Sequence, residues 1–365
     1  MKIKMSIRQF TLLVFLYSVG TTILSVPSGL AADAKQDALI AIIIGMIISF
    51  LTIYLYTRVA GLFPQMTFIE YSEVILGKWL GKMVSLLLIF LGFHGAAASL
   101  FYVGNFMTTQ IMVGSPIHSI TILFAVPIVV ALRLGIETLA RMAEILFPWF
   151  VALYIGMIIF VAPQMDFDNL RPLFQTGLKP VLRATLSYAS ITPWTLISFF
   201  MIFPLVNNFE KAKKGLYLGN LLAGVVILII TGVTISVLGV DMTARHLYPS
   251  YALARMIRIG DFLQRIDAIV GALWVITIFF KLTLYFYVCV EGLSQILKLS
   301  DSRVLLFPMG ILLIVFSQIL YPNVTYMMHW DTKIWIPFII TLGLFMPLLL
   351  LAVYFLRFKI LRKVM

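Results

Sequence analysis

One lysine sits in apolar sequence on both sides: Phe279-Phe280-Lys281-Leu282-Thr283, near the middle of the apolar run 269–297. A charge at the centre of a membrane-spanning helix costs roughly 2.5–3.5 kcal/mol on insertion scales. Three chemistries suit it: pairing with a ligand carboxylate, filling a cation site with its own ammonium, or taking up and releasing a proton. The structural alternative is an ammonium that reaches an interface or satisfies backbone carbonyls, and the residue's depth makes the first of these difficult. Tyr285 lies four residues on and Thr277 four before, so the three form a polar stripe on one helix face.

Two further clusters match each other. The run 10–30 holds Ser18, Gly20, Thr21, Thr22, Ser25 and Pro27. The run 186–206 holds Ser187, Ser190, Thr192 and Pro193, followed by Trp194 and Thr195. Glycine and proline weaken helix continuity, and neighbouring hydroxyls can satisfy the backbone groups this frees. Interrupted helices at matching positions in two halves point to a midplane binding site; the alternative is that glycine and proline, common in membrane helices, mark only kinks. Half-helix N-termini suit a carboxylate and unwound carbonyls suit an ammonium, so an amino acid fits both. His94 lies among small residues in Gly92-Phe-His-Gly95-Ala-Ala-Ala-Ser99, where close helix approach is possible. Its expected role is a buried imidazole satisfied by a hydroxyl or carbonyl. Asn105 and Asn220 are expected to bond between helices, and Glu144 and Glu291 to sit near interfaces. Gly215-x-x-x-Gly219, continuing to Gly224, fits helix packing.

The elements that position these groups are membrane helices. The 365 residues are 62% hydrophobic and 12% charged, with a mean hydropathy of +1.05, against about 25% charged in an average soluble domain. The sequence predicts an all-α membrane protein with ten transmembrane helices, over 10–30, 38–59, 82–113, 119–136, 142–161, 186–206, 216–240, 269–297, 304–321 and 335–356. The first and sixth lie five apart, an odd number, so the second five enter from the opposite side. That is the condition for two inverted five-helix repeats with discontinuous first and sixth helices. The reading is a single integral membrane domain over 1–365: a first repeat at 8–163, an external connector at 164–185, a second repeat at 186–356 and a basic tail at 357–365.

The net charge is +12. Arg58, Lys78, Arg133, Arg141, Lys211, Lys213, Lys214 and Arg303, with Lys2, Lys4 and the C-terminal Lys359, Arg362 and Lys363, gather on one set of alternate loops. The positive-inside rule then places both termini in the cytoplasm and accounts for the charge without nucleic acid. Three connections exceed tight turns: 61–81, 163–185 and 241–268. The last contains a basic amphipathic stretch, 251–258, suited to the interface or to capping the bundle, and equally to a solvated basic helix. The basic N-terminus is expected to be retained, because the apolar run after it is longer than a typical signal core. The one cysteine, Cys289, permits no intramolecular disulfide, and the four histidines lack metal-ligand spacing. No serine–histidine–aspartate set, phosphate loop or carboxylate pair stands out in the spans, so an enzyme is not expected, nor is a cofactor.

The chain resembles the B subunits of bacterial spore germinant receptors, a branch of the amino acid–polyamine–organocation transporter superfamily. The resemblance rests on Asp168-Asn-Leu-Arg-Pro172 with Gly177, Leu178 and Pro180. It rests also on Glu70-Tyr71 with Leu76-Gly-Lys-Trp-Leu-Gly81, on Gly20 with Ile23, Leu24 and Pro27, and more weakly on Trp274 and Gly292-Leu293. It covers nearly the whole chain. It implies residence in the spore inner membrane, a complex with an A subunit and a lipoprotein C subunit, and recognition of a nutrient, often an amino acid, that triggers germination. The family's pocket falls on Gly20, Thr21 and neighbouring Thr22, His94 and Gly95, Trp194 and Thr195, and Lys281 and Tyr285. Lys281 stands where a small hydroxyl residue is expected, and Gly-Thr-Thr where a second glycine is common. Both departures bear on the ligand rather than the fold. Beside a nutrient receptor stand two alternatives: an amino acid permease, proton-coupled through Lys281, and a scaffold that binds nothing.

Overall fold

A computed structural model describes residues 5–256 and 267–364. Lys2, Lys4, Arg258 and Arg265 lie outside the described residues, as do residues 257–258 of the basic amphipathic stretch and the side chains of Lys359, Arg362 and Lys363.

Among the described residues the chain crosses ten times. Helices α1 (Ile7–Val19) and α2 (Thr22–Ala34) form the first crossing, parted at Gly20 and Thr21. A single 3-10 turn, Lys35–Asp37, leads into α3 (Ala38–Ala60). The short α4 (Phe68–Leu76) precedes α5 (Lys78–Phe106), which ends in a π turn, Met107–Ile111. Helices α6 (Ile117–Leu134) and α7 (Ile136–Val161) complete the first five. The sixth crossing is α8 (Leu178–Ile191) followed by a 3-10 helix, Trp194–Met201. Then come α9 (Phe209–Arg245), the short α10 (Pro249–Met256), α11 (Asp267–Leu297) and α12 (Arg303–Ile319). The tenth crossing strings α13 (Val324–His329), α14 (Trp335–Ile340) and α15 (Met346–Val364) together through π turns at Trp330–Ile334 and Thr341–Phe345.

The second five repeat the plan of the first. Each set opens with a broken crossing, and each carries one short helix, α4 or α10, between its second and third crossings. Five crossings invert the direction of entry, which is the arrangement of inverted repeats.

Local chemistry sets the boundaries. Ser6 and Gln9 close a capping box on α1, and Thr67 and Glu70 another on α4. Gly77 stops α4 at φ 86°, where a side chain would be strained. A Cβ on Gly81 would lie 2.5 Å from Glu73 Cα, so that glycine lets α5 close against α4. The two glycines explain the Leu76–Gly81 segment. Asn169 and the Asp166 amide both donate to Ser236 O, at 2.9 and 3.0 Å. Gly239, at φ 72°, breaks α9 there and frees that carbonyl, so the Asp168–Pro172 segment pins the connector to the broken helix.

Packing follows the small residues. Gly215 and Gly219 seat α9 on α1: a Cβ on Gly219 would meet Thr11 O at 2.6 Å. A Cβ on Gly92 would meet Tyr285 O at 2.7 Å, and one on Gly95 the Tyr285 ring at 2.9 Å, which fixes α5 against α11.

Several expected boundaries shift. The third crossing starts at Lys78, the fifth at Ile136, the sixth at Leu178 and the tenth at Val324, each earlier than the hydropathy run. The 61–81 connection contains a packed helix, with Phe68, Tyr71 and Ile75 buried. Pro27 lies inside α2 rather than at the break. Tyr251, Leu253 and Ala254 of α10 are buried, and Ser250 just before them donates to Ile23 O at 2.7 Å, so this end of the basic stretch caps the bundle.

Candidate ligand-binding site

The eighth crossing places Lys281 against both helix breaks. Its ammonium donates to Thr21 Oγ1 at 3.1 Å and to Ile191 O at 3.3 Å, and lies 5.5 Å from the centre of the Tyr17 ring. Thr21 is the cap residue at the start of α2, and Ile191 is the last residue of α8. Carbonyls in a helix's last turn lack helical partners and carry the negative end of its dipole, so a cation is favoured there. Thr195 Oγ1 also reaches Ile191 O, at 3.0 Å. Thr277 Oγ1, one turn from Lys281, lies 3.4 Å from Gly20 O. The polar stripe of α11 thus faces the unwound joint of the first crossing. An ammonium has three N–H donors; two have protein partners here.

Beside this joint lies a cavity of about 370 Å³. Thr21, His94, Gly95, Thr195, Lys281 and Tyr285 line it. Gly20, Thr22 and Trp194 are not among its lining residues. Gly20 lies against the stem of Lys281: a Cβ there would be 2.9 Å from Lys281 Cβ. Thr22 turns its hydroxyl back to Ser18 O at 2.8 Å. Trp194 packs on Gly343, and its carbonyl lies 3.0 Å from the Tyr56 hydroxyl.

His94 is 1% exposed, and its Nε2 has no hydrogen-bond partner among the described residues. The expected hydroxyl or carbonyl is replaced by aromatic faces: the imidazole lies 5.2 Å from the Trp330 ring and 5.8 Å from Trp335. Asn105 donates to Tyr248 OH at 2.7 Å, as an interhelical group should, whereas Asn220 Oδ1 has no partner among the described residues. Glu144 accepts from Gln9 at 3.0 Å.

Sequence reading missed the tenth crossing's share of the site. Asp331, Thr332 and Trp335 line the cavity, with Tyr102 and Ser99 of α5 and Ser25, Ser187 and Ser190 of the broken crossings. Asp331 lies in a stretch that the hydropathy reading treated as loop. Asp33 lines both this cavity and a second one of about 920 Å³, and pairs with Arg183 at 3.2 Å.

A family model described as spore germination protein matches residues 4–325. The chain belongs to this family. Among its relatives, spore germination protein KB of Bacillus subtilis (strain 168) is 31% identical over 88% of this chain and 86% of its own length. Spore germination protein YndE of the same organism is 23% identical over 81% and 82%. Two solved structures share the fold. Mhp1, a nucleobase-cation-symport-1 family transporter with bromovinylhydantoin bound, superposes with a TM-score of 0.67 at 12% identity, over 90% of this chain and 74% of Mhp1. MhsT in complex with L-phenylalanine gives 0.63 at 15%, over 95% and 97%. The chain is therefore an integral membrane protein with a transporter fold.

Proposed function

We propose that this chain is the B subunit of a nutrient germinant receptor, and that it binds a small molecule, an amino acid, in the cavity beside Lys281. One observation carries the reading: an ammonium from the eighth crossing joins the breaks of the first and sixth at the wall of a cavity lined by hydroxyls. A ligand that displaces or shares that ammonium changes how the two broken crossings are held. Binding thereby acquires a mechanical output, and a receptor needs one.

The rest of the reading follows the family. The protein sits in the spore inner membrane as one domain of two repeats, with both termini cytoplasmic, beside an A subunit and a lipoprotein C subunit. It carries out no covalent chemistry. Deleting the gene should slow germination to particular nutrients and leave sporulation intact. Unchanged responses to every nutrient, in a strain without a paralogue, would refute the receptor role.

The symporter fold of Mhp1 and the amine between two helix breaks favour a second reading, an amino acid permease. Uptake of radiolabelled amino acids into proteoliposomes holding this chain alone separates the two. Saturable accumulation supports the permease.

A further inference from the structure

The side chains of Asp33, Arg183, Lys281 and Asp331 bring formal charge to the cavity wall. Asp33 and Arg183 neutralise each other at 3.2 Å. Lys281 and Asp331 make no ion pair with any described residue. Asp331 Oδ2 accepts the Tyr102 hydroxyl at 2.6 Å, and Oδ1 has no hydrogen-bond partner among the described residues. One unpaired cation and one unpaired anion in a single low-dielectric cavity are each costly, and each is relieved by an opposite charge brought from outside.

The fold keeps the two apart. Gly92 abuts Tyr285 and Cys289, and Gly292 abuts Ile89, which sets the register of the antiparallel α5 and α11. Lys281 is then level with Ala98 and Ser99, and Tyr102 stands roughly one helical turn, about 5 Å, further along. The two ends differ in character. Near Lys281 the first turn of α2 adds the positive end of a helix dipole and the Thr21 hydroxyl, which suits an anion. Around Asp331 the walls are aromatic. The Tyr102 and Tyr321 rings lie 6.4 Å apart, and Tyr321 lies 6.4 Å from Trp330. A carboxylate among aromatic faces suits an ammonium. Asp331 is carried on the π turn Trp330–Ile334, a type of irregularity frequent at functional sites.

We propose that Asp331 receives the cationic end of the bound molecule, while Lys281 and the α2 N-terminus receive its anionic end. The ligand lies along the bundle with its ammonium toward the tenth crossing. This rests on the amino-acid reading for the ligand class, but the assignment of Asp331 is tested without it.

The full chain in nanodiscs is titrated, by thermal stabilisation, with straight-chain alkylamines, with straight-chain carboxylates and with the twenty L-amino acids. Asp331→Asn should weaken the best-binding alkylamine at least tenfold and leave carboxylates within twofold. Lys281→Met should do the reverse. Tyr102→Phe removes a competing donor and should retain amine binding, which separates loss of charge from loss of fold. Alkylamines that stabilise wild type and Asp331→Asn equally, or that fail to stabilise wild type, would overturn the assignment. Amine binding that depends on Asp331 while no amino acid binds would support the assignment and refute the amino-acid reading.

Discussion

Lys281 occupies the space that a side chain on Gly20 would need. A Cβ on Gly20 would overlap Lys281 Cδ and lie 2.9 Å from both Lys281 Cβ and Tyr17 O. The glycine therefore makes room for the lysine stem at the break, whatever else it does for the backbone. Gly20→Ala should cost about 1–3 kcal/mol through overpacking and push the ammonium off Thr21. Thermal unfolding of the purified protein checks the first effect. Loss of amino acid binding at temperatures where the variant stays folded checks the second.

Lys281→Met separates charge from packing. Replacing a buried charge by an apolar group of similar shape is often neutral or stabilising, and the Thr195 hydroxyl still serves the Ile191 carbonyl at 3.0 Å. The melting temperature should hold or rise while the germination response falls at least tenfold. Lys281→Arg should not restore it, because a planar fork does not replace a compact ammonium. A variant with an intact nutrient response would remove Lys281 from the site.

Tyr56 ties three crossings. Its hydroxyl lies 2.6 Å from Gly343 O and 3.0 Å from Trp194 O, both buried. Tyr56→Phe removes the one O–H that the two buried carbonyls share, in a medium that offers no water, at about 1–3 kcal/mol. The loss should appear in thermal unfolding and leave the ligand-binding constants of the folded protein nearly unchanged.

Asp37, in the turn between α2 and α3, anchors the connector. Burial pushes its carboxyl up, but hydrogen bonds from the Thr176 hydroxyl and amide and from the Phe174 and Gln175 amides outweigh this and hold it below its ordinary value. A depressed folded-state value contributes stability that is present above the unfolded carboxylate's pKa, about 3.9, and is lost as pH falls through the folded one. Asp37→Asn should therefore melt below wild type at neutral pH. That gap should narrow only under acid conditions, below about pH 4. A gap that stays constant into strong acid would mean the carboxylate charge contributes nothing.

The ten crossings were legible because lipid demands long apolar runs whatever the tertiary packing. The breaks beside Gly20 and Pro193 were legible too, since glycine, proline and hydroxyls mark them. Lys281 stands out because a charge at the centre of a span is costly. Hydropathy failed where a helix begins in polar sequence: α8 starts among Lys179 and Arg183, and the tenth crossing starts at Val324, ahead of Asp331 and Lys333. Asp331 was lost for that reason. The family resemblance puts Trp194 in the pocket, but a 3-10 helix turns side chains by a different angle per residue than an α-helix. It packs instead on Gly343. His94 was expected to bond, but its α5 position sets it between two indoles supplied by the last crossing, at a distance no local window spans.

The two π turns of the tenth crossing make its inward face a matter of arithmetic. Each holds one residue more than a regular turn, so everything after it is rotated relative to an uninterrupted helix. Excising a single residue from 330–334 would close the π turn into a regular one and leave Gly343 against Trp194, whereas excising one from the regular segment 335–340 would swing the downstream side chains through about 100° and carry Gly343 away. The orientation of this crossing is thus written in how many residues its regular segments contain, and a deletion from them would disorganise the receptor more than most exchanges of one side chain for another.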